Sequence, residues 1–131
     1  MKDPVFLSLD EVIEIHYDQI EHYGGRPGIR DIELLKSAVD MPAAGLGGDY
    51  FHTDIYEMAA AYLFHIVRNH PFIDGNKRTG AAAAVVFLLV NGIEIEANEE
   101  DLERIVLDTA GGEMGKAAIA RFFKNNASSR N

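Results

Sequence analysis

The sequence predicts an all-α domain, a compact helical bundle with a buried central helix, on three observations. Apolar residues recur at three- and four-residue spacing along most of the chain. The periodic stretches open at capping residues and close at Gly, at Asn or just before Pro. Only "IEIEA" (93–97) alternates like a strand, and it is too short to build a sheet.

The elements follow in order. Ser8-Leu9-Asp10-Glu11 is a capping-box pattern. It opens a helix with Leu9, Val12, Ile13, Tyr17 and Ile20 on one face, ending at Gly24-Gly25. Asp31 caps a second helix through Leu34, Leu35 and Val39 that stops before Pro42. The glycine-rich "PAAGLGGDYFH" that follows has no helical period. Asp54 with Glu57 marks a third N-terminus, and the run reaches Asn69, ahead of Pro71. Lys77 to Asn91 is apolar on every side and is expected to be the central helix, its alanines letting neighbours approach closely. Asn98 caps a helix carrying Leu102, Ile105, Val106 and Leu107. A last helix around Ala117–Phe123 precedes a polar tail, "NNASSRN", expected to fray over 125–131. Neither an internal repeat nor a linker is visible, so 1–131 reads as one domain.

Composition narrows the function classes. At 131 residues, 47% apolar and 25% charged, the chain can bury a core of its own. The absence of cysteine excludes disulfides and thiolate metal sites. Acidic residues stand where a signal peptide needs an apolar run, so a cytoplasmic protein is expected. The longest uncharged apolar run, 81–90, is half of the ~20 residues a membrane span requires. A net charge of −9 argues against nucleic-acid binding, because phosphate contacts need a basic face. Yet between Tyr62 and Asn91 the only charged residues are Arg68, Asp74, Lys77 and Arg78, whereas Glu94–Glu113 holds eight acids against Arg104. A small positive island on an acidic protein suits a small, multiply charged anion.

The island lies in "NHPFIDGNKRTG", residues 69–80. A helix beginning near Asn76 or Lys77 presents amides without acceptors and the positive end of its dipole. Gly75 lets an anion approach the amides around Gly75, Asn76 and Lys77 closely. Lys77 and Arg78 add full charges, Arg78 as a planar fork suited to phosphate oxygens. Asp74 makes sense there if a divalent cation such as Mg²⁺ bridges it to phosphates. His70 is placed to accept a proton from an attacking hydroxyl. Together these are the parts of phosphate-transfer chemistry.

Each part alone has an ordinary explanation: Asp-Gly-Asn is a common turn, and Lys-Arg at a helix start is often merely solvated. Their concentration beside an apolar helix favours function, since an unpaired charge is costly there. Phe72 and Ile73 read as core anchors of the loop, and Asn69 as a helix C-terminal residue. The five histidines show no His-Glu-x-x-His pair; His16, and likewise His65, reads as a satisfied packing histidine. Gly45-Leu46-Gly47-Gly48 lacks the spacing of a dinucleotide fingerprint, and neither a Walker loop nor a nucleophile elbow occurs.

"HPFIDGNKRTG" resembles the signature of the Fic/Doc superfamily, His-x-Phe-x-Asp/Glu-Gly/Ala-Asn-Gly/Lys-Arg. "IHYDQIEHYGGRPGIRDIELLKSAV", "GLGGDYF" and "FLLVNGIEIEA" are similar to the matching regions of Doc (death-on-curing) toxins, so the resemblance spans Phe6 to about Lys124. It implies an all-α fold with the loop between two central helices, and transfer of part of a nucleoside triphosphate to a protein hydroxyl. It further implies His70 as general base, Phe72 as buried anchor and Asp74 as Mg²⁺ ligand. Gly75 and Asn76 would form the anion hole, and Lys77 and Arg78 would hold phosphates of ATP. AMP-transferring members carry glycine after the asparagine and Doc kinases lysine, so Lys77 aligns the chain with Doc. Pro71 and Gly75 are residues common in the AMP-transferring branch, which keeps AMP transfer as the alternative. A lysine at 77 occupies room that glycine leaves, and the resemblance implies that the nucleotide then binds reversed, presenting its γ-phosphate. The expected partners are a protein substrate, a translation elongation factor in this branch, and an antitoxin acting in trans. A cis inhibitory Ser/Thr-x-x-x-Glu-Gly/Asn helix is not seen: Thr109–Glu113 has the spacing, but Met114 follows. A phosphate- or nucleotide-binding module without catalysis is the reading of another class, and His70 discriminates, because pure binding does not need it.

Overall fold

Ser8 opens the first helix as its residue type requires. Its hydroxyl accepts from the Glu11 amide at 3.2 Å while the Glu11 carboxylate accepts from the Ser8 amide at 2.8 Å. The structure, a computed structural model, describes residues 3–129. It contains α1 (Leu9–Tyr23), α2 (Ile32–Asp40), α3 (Ile55–Asn69), α4 (Asn76–Val90), α5 (Glu99–Ala110) and α6 (Lys116–Asn125). Asp31, Asp54 and Asn98 cap α2, α3 and α5 through the amides of Leu34, Glu57 and Asp101 at 2.8–3.0 Å. The all-α class and each of the expected N-caps hold.

α3 is the most enclosed element. Met58–Leu63, Ile66 and Val67 are buried, and the helix packs most extensively on α4, then on α6 and α2. Gly80 permits the α3–α4 approach: a Cβ there would lie 2.8 Å from Val67 Cγ2 and 3.2 Å from the Leu63 carbonyl oxygen. α4 begins at Asn76, one residue earlier than expected, and it is not enclosed all round. Thr79, Gly80, Ala83, Ala84, Phe87 and Leu88 face the core, while Leu89 and Val90 are exposed. Its outer side, Ala81, Ala82 and Val85, floors a groove of about 610 Å³ walled by Leu102, Val106 and Leu107 of α5 and Tyr23 of α1. The helix is apolar throughout because one face packs and another lines this groove.

Two short two-stranded antiparallel sheets accompany the helices. β1 (Gly45–Leu46) pairs antiparallel with β2 (Asp49–Tyr50) in the glycine-rich segment, after a 3₁₀ turn at Met41–Ala43. β3 (Ile93–Ile95) pairs antiparallel with β4 (Ala127–Ser129), Ile93 opposite Ser129 and Ile95 opposite Ala127. The tail expected to fray thus contains a strand through 129, because "IEI" offers it an open edge; positions 130–131 of that expectation lie outside the described residues. Among the described residues no helix is long and apolar enough to cross a membrane.

Candidate functional site

The loop from His70 to Gly75 joins α3 to α4 and is held by contacts from α1, from the loop that follows α1, and from α4. Phe72 is fully buried, as expected. Asn76, itself 4% exposed, braces it: Oδ1 accepts from the Phe72 amide at 2.8 Å and Nδ2 donates to the Phe72 carbonyl at 3.0 Å. The Asn76 side chain is therefore a brace, and only its backbone amide is left for an anion. His16 stacks flat on the Phe72 ring with centroids 3.8 Å apart, and its Nε2 lies 2.8 Å from the Asp74 carbonyl oxygen. Burial pushes the His16 pKa down, so it is a neutral packing group that also pins the loop. Ile73 departs from expectation. It is 42% exposed, because its amide bonds to the Gly28 carbonyl at 3.0 Å and turns the side chain outward over that glycine.

The loop between α1 and α2 clamps the motif from outside. Pro71 O accepts from the amides of Arg30 and Asp31 at 2.7 and 3.0 Å, and Ile29 and Phe72 form a β-bridge. The Arg26 amide donates to Asp74 Oδ2 at 3.0 Å, and the Gly75 amide donates to Asp74 Oδ1 at 2.9 Å. These two donors hold the exposed Asp74 carboxyl below its ordinary pKa, and thus anionic. Gly25 (φ +115°) allows this passage, since a Cβ would meet Asp74 Oδ2 at 2.9 Å and Arg78 Nη2 at 3.0 Å.

The cationic end is arranged less directly than the sequence suggests. Arg78 Nη2 donates to the Gly24 carbonyl at 2.8 Å, and its guanidinium carbon lies 6.0 Å from the Tyr23 ring centre. The negative end of α1 therefore engages the fork that was expected to be free for phosphates. Lys77 is exposed and stands with Arg78 at the end of the α4–α5 groove, which neither His70 nor Asp74 lines. Gly75 (φ +76°) is the α4 N-cap and supplies no side-chain acceptor, so the first-turn amides of Asn76 and Lys77 have no side-chain cap. The Gly75 amide, by contrast, is already taken by Asp74.

His70 is exposed and left-handed (φ 52°), the one non-glycine residue with positive φ among those described. This conformation costs about 1 kcal/mol and persists only where the surroundings hold it. Arg30, which sequence reasoning did not single out, does so: Nε donates to the His70 carbonyl at 2.6 Å and Nη2 to that of Asn69 at 3.0 Å. Asn69 ends α3 as expected and ties back to the Leu34 carbonyl.

Asp74 suits one kind of cation. Its two oxygens each accept a single main-chain N–H, leaving lone pairs on an exposed anion. Among the described residues no group of three His, Asp or Glu could cage a metal. A single exposed carboxylate of this kind could hold Mg²⁺, whose shell is otherwise completed by water and phosphate oxygens.

The family model described as "Fic/DOC family" matches residues 6–88, from the lead-in to α1 through most of α4. The chain is 32% identical over 114 residues to "Protein kinase doc" of Escherichia phage P1, covering 87% of this chain and 89% of that protein. It is 42% identical over 76 residues to "Toxin Doc" of Mycolicibacterium smegmatis, covering 58% of each.

Proposed function

Because the chain belongs to the Fic/DOC family, we propose that it is a toxin-type protein kinase. It transfers the γ-phosphate of ATP to a Ser or Thr hydroxyl of a target protein, a translation elongation factor, and so arrests growth. The observation that carries the kinase reading is Lys77, exposed at the start of α4 between the uncapped amides and the groove. The similarity to a phage kinase across most of both chains supports it.

His70 takes the proton from the attacking hydroxyl. The hydroxyl oxygen forms its bond to the γ-phosphorus as the bond from that phosphorus to the β–γ bridging oxygen breaks, and ADP leaves. The Asn76 and Lys77 amides and the Lys77 ammonium bind the phosphates, and Arg78 joins them by exchanging the α1 carbonyls for phosphate oxygens. Asp74 is the residue that would hold Mg²⁺, which when bound neutralises phosphate charge.

An antitoxin controls the protein in trans by laying the apolar face of a helix into the α4–α5 groove, beside Lys77 and Arg78.

The test is a reaction in cell extract with ATP labelled separately at the α and γ positions. Protein labelled from γ alone is the expected result. Label from α would assign AMP transfer, the alternative to which Pro71 and Gly75 point.

A further inference from the structure

Arg30 sits on the exposed loop between α1 and α2, yet its side chain is committed to main chain. Nε and Nη2 donate to the His70 and Asn69 carbonyls, and its own amide donates to the Pro71 carbonyl at 2.7 Å. Three consecutive carbonyls, one on each side of His70 and its own, are thus held from a single residue. Among the described residues the guanidinium has no carboxylate partner, so these carbonyls, at the negative end of α3, are what it neutralises.

The His70 imidazole has no hydrogen-bond partner among the described residues, unlike His16, His22, His52 and His65. No hydrogen bond fixes the ring, so its placement depends on its backbone, and that backbone is in a conformation non-glycine residues avoid. We infer that Arg30 is a positioning residue for His70, holding its left-handed backbone so that the imidazole meets the attacking hydroxyl. This rests on the reading of His70 as general base. Arg30 touches neither the uncapped amides nor Asp74, so its loss should reach turnover without reaching nucleotide binding. An exposed side chain is also one the fold can lose, which makes the test clean.

The experiment compares wild type with Arg30→Ala and Arg30→Lys by steady-state kinetics, nucleotide affinity and the His70 backbone chemical shifts. Arg30→Ala is expected to lower kcat about 10-fold, with nucleotide Kd changed less than about twofold and the melting transition still cooperative. Arg30→Lys, able to serve one carbonyl at a time, should fall between. In Arg30→Ala the His70 Cα and Cβ shifts should move away from their left-handed values. A kcat equal to wild type, or a loss accounted for by weaker nucleotide binding, overturns the inference. If Arg30→Ala does not fold, Arg30→Lys decides by the same criteria. If wild type transfers neither label, the kinase reading fails separately, and unchanged His70 shifts in the variants would then overturn the role of Arg30 on their own.

Discussion

Asn76 and Phe72 form a two-way bridge: the carboxamide accepts from the Phe72 amide and donates to the Phe72 carbonyl, in a site 4% exposed. Aspartate keeps the acceptor and lacks the donor, and it would set a carboxylate against the carbonyl. Asn76→Asp and Asn76→Ala should each destabilise the fold by about 1–3 kcal/mol, the cost of unpaired buried polar groups. Denaturant midpoints check this. An unchanged midpoint would mean that the bridge is incidental.

His70→Ala should retain nucleotide binding within a few-fold while losing about 10²–10⁴ of the transfer rate, the usual worth of a general base. Single-turnover transfer beside direct nucleotide titration separates the two quantities. Equal activity in variant and wild type would favour a binding module over an enzyme.

Lys77→Gly tests whether the lysine orients the nucleotide. The variant should lose γ-transfer and gain label from α-labelled ATP. A merely solvated Lys77 would leave the labelled product as it was.

Gly25→Ala inserts a Cβ between Asp74 Oδ2 and Arg78 Nη2 at a φ of +115°. The strain is expected to cost about 1–3 kcal/mol and to displace the Asp74 carboxylate. The same substitution at Gly48, where nothing lies within 4 Å, compares a positive φ (+89°) without the crowding. Transfer should fall more in the Gly25 variant, with a raised Mg²⁺ requirement.

The groove predicts a separable interaction. Ala82→Glu puts a charge on its apolar floor and should abolish co-purification with the antitoxin while leaving transfer intact, so that the variant is toxic despite antitoxin co-expression. Undiminished capture would place the antitoxin elsewhere.

Lys116 Nζ lies 3.2 Å from His52 Nε2 and 3.1 Å from His65 Nε2, joining α6 to α3 and the segment before it. Burial first, then the Lys116 charge, pushes the His65 pKa down from 6.5 to about 4, and His52 moves the same way. The unfolded chain therefore binds protons more readily than the folded one. The contribution of His65 to stability is fully present above pH 6.5 and is lost as pH falls toward about 4. Melting temperature against pH should fall less steeply in His65→Gln than in wild type across that window.

Much of the fold was legible because helix starts are local. Ser8, Asp31, Asp54 and Asn98 each cap the amide three residues on, so the signal and its partner sit in one short stretch of sequence. The motif residues were visible for the same reason: His70 to Arg78 are neighbours in the chain, and their chemistry is carried by residue type.

What only the tertiary structure decided are the partners that hold those residues. Asp74 is gripped by the Arg26 amide, His70 by Arg30, and the tail strand by β3. In each case one side of the bond is main chain, and a backbone N–H or C=O is nearly the same whatever residue bears it. Sequence therefore carried no mark of these contacts, nor of Arg78 lying on α1 or Ile73 turning outward. The chain states which groups the site contains; packing α1 and its following loop against α4 determines which of them are free to act.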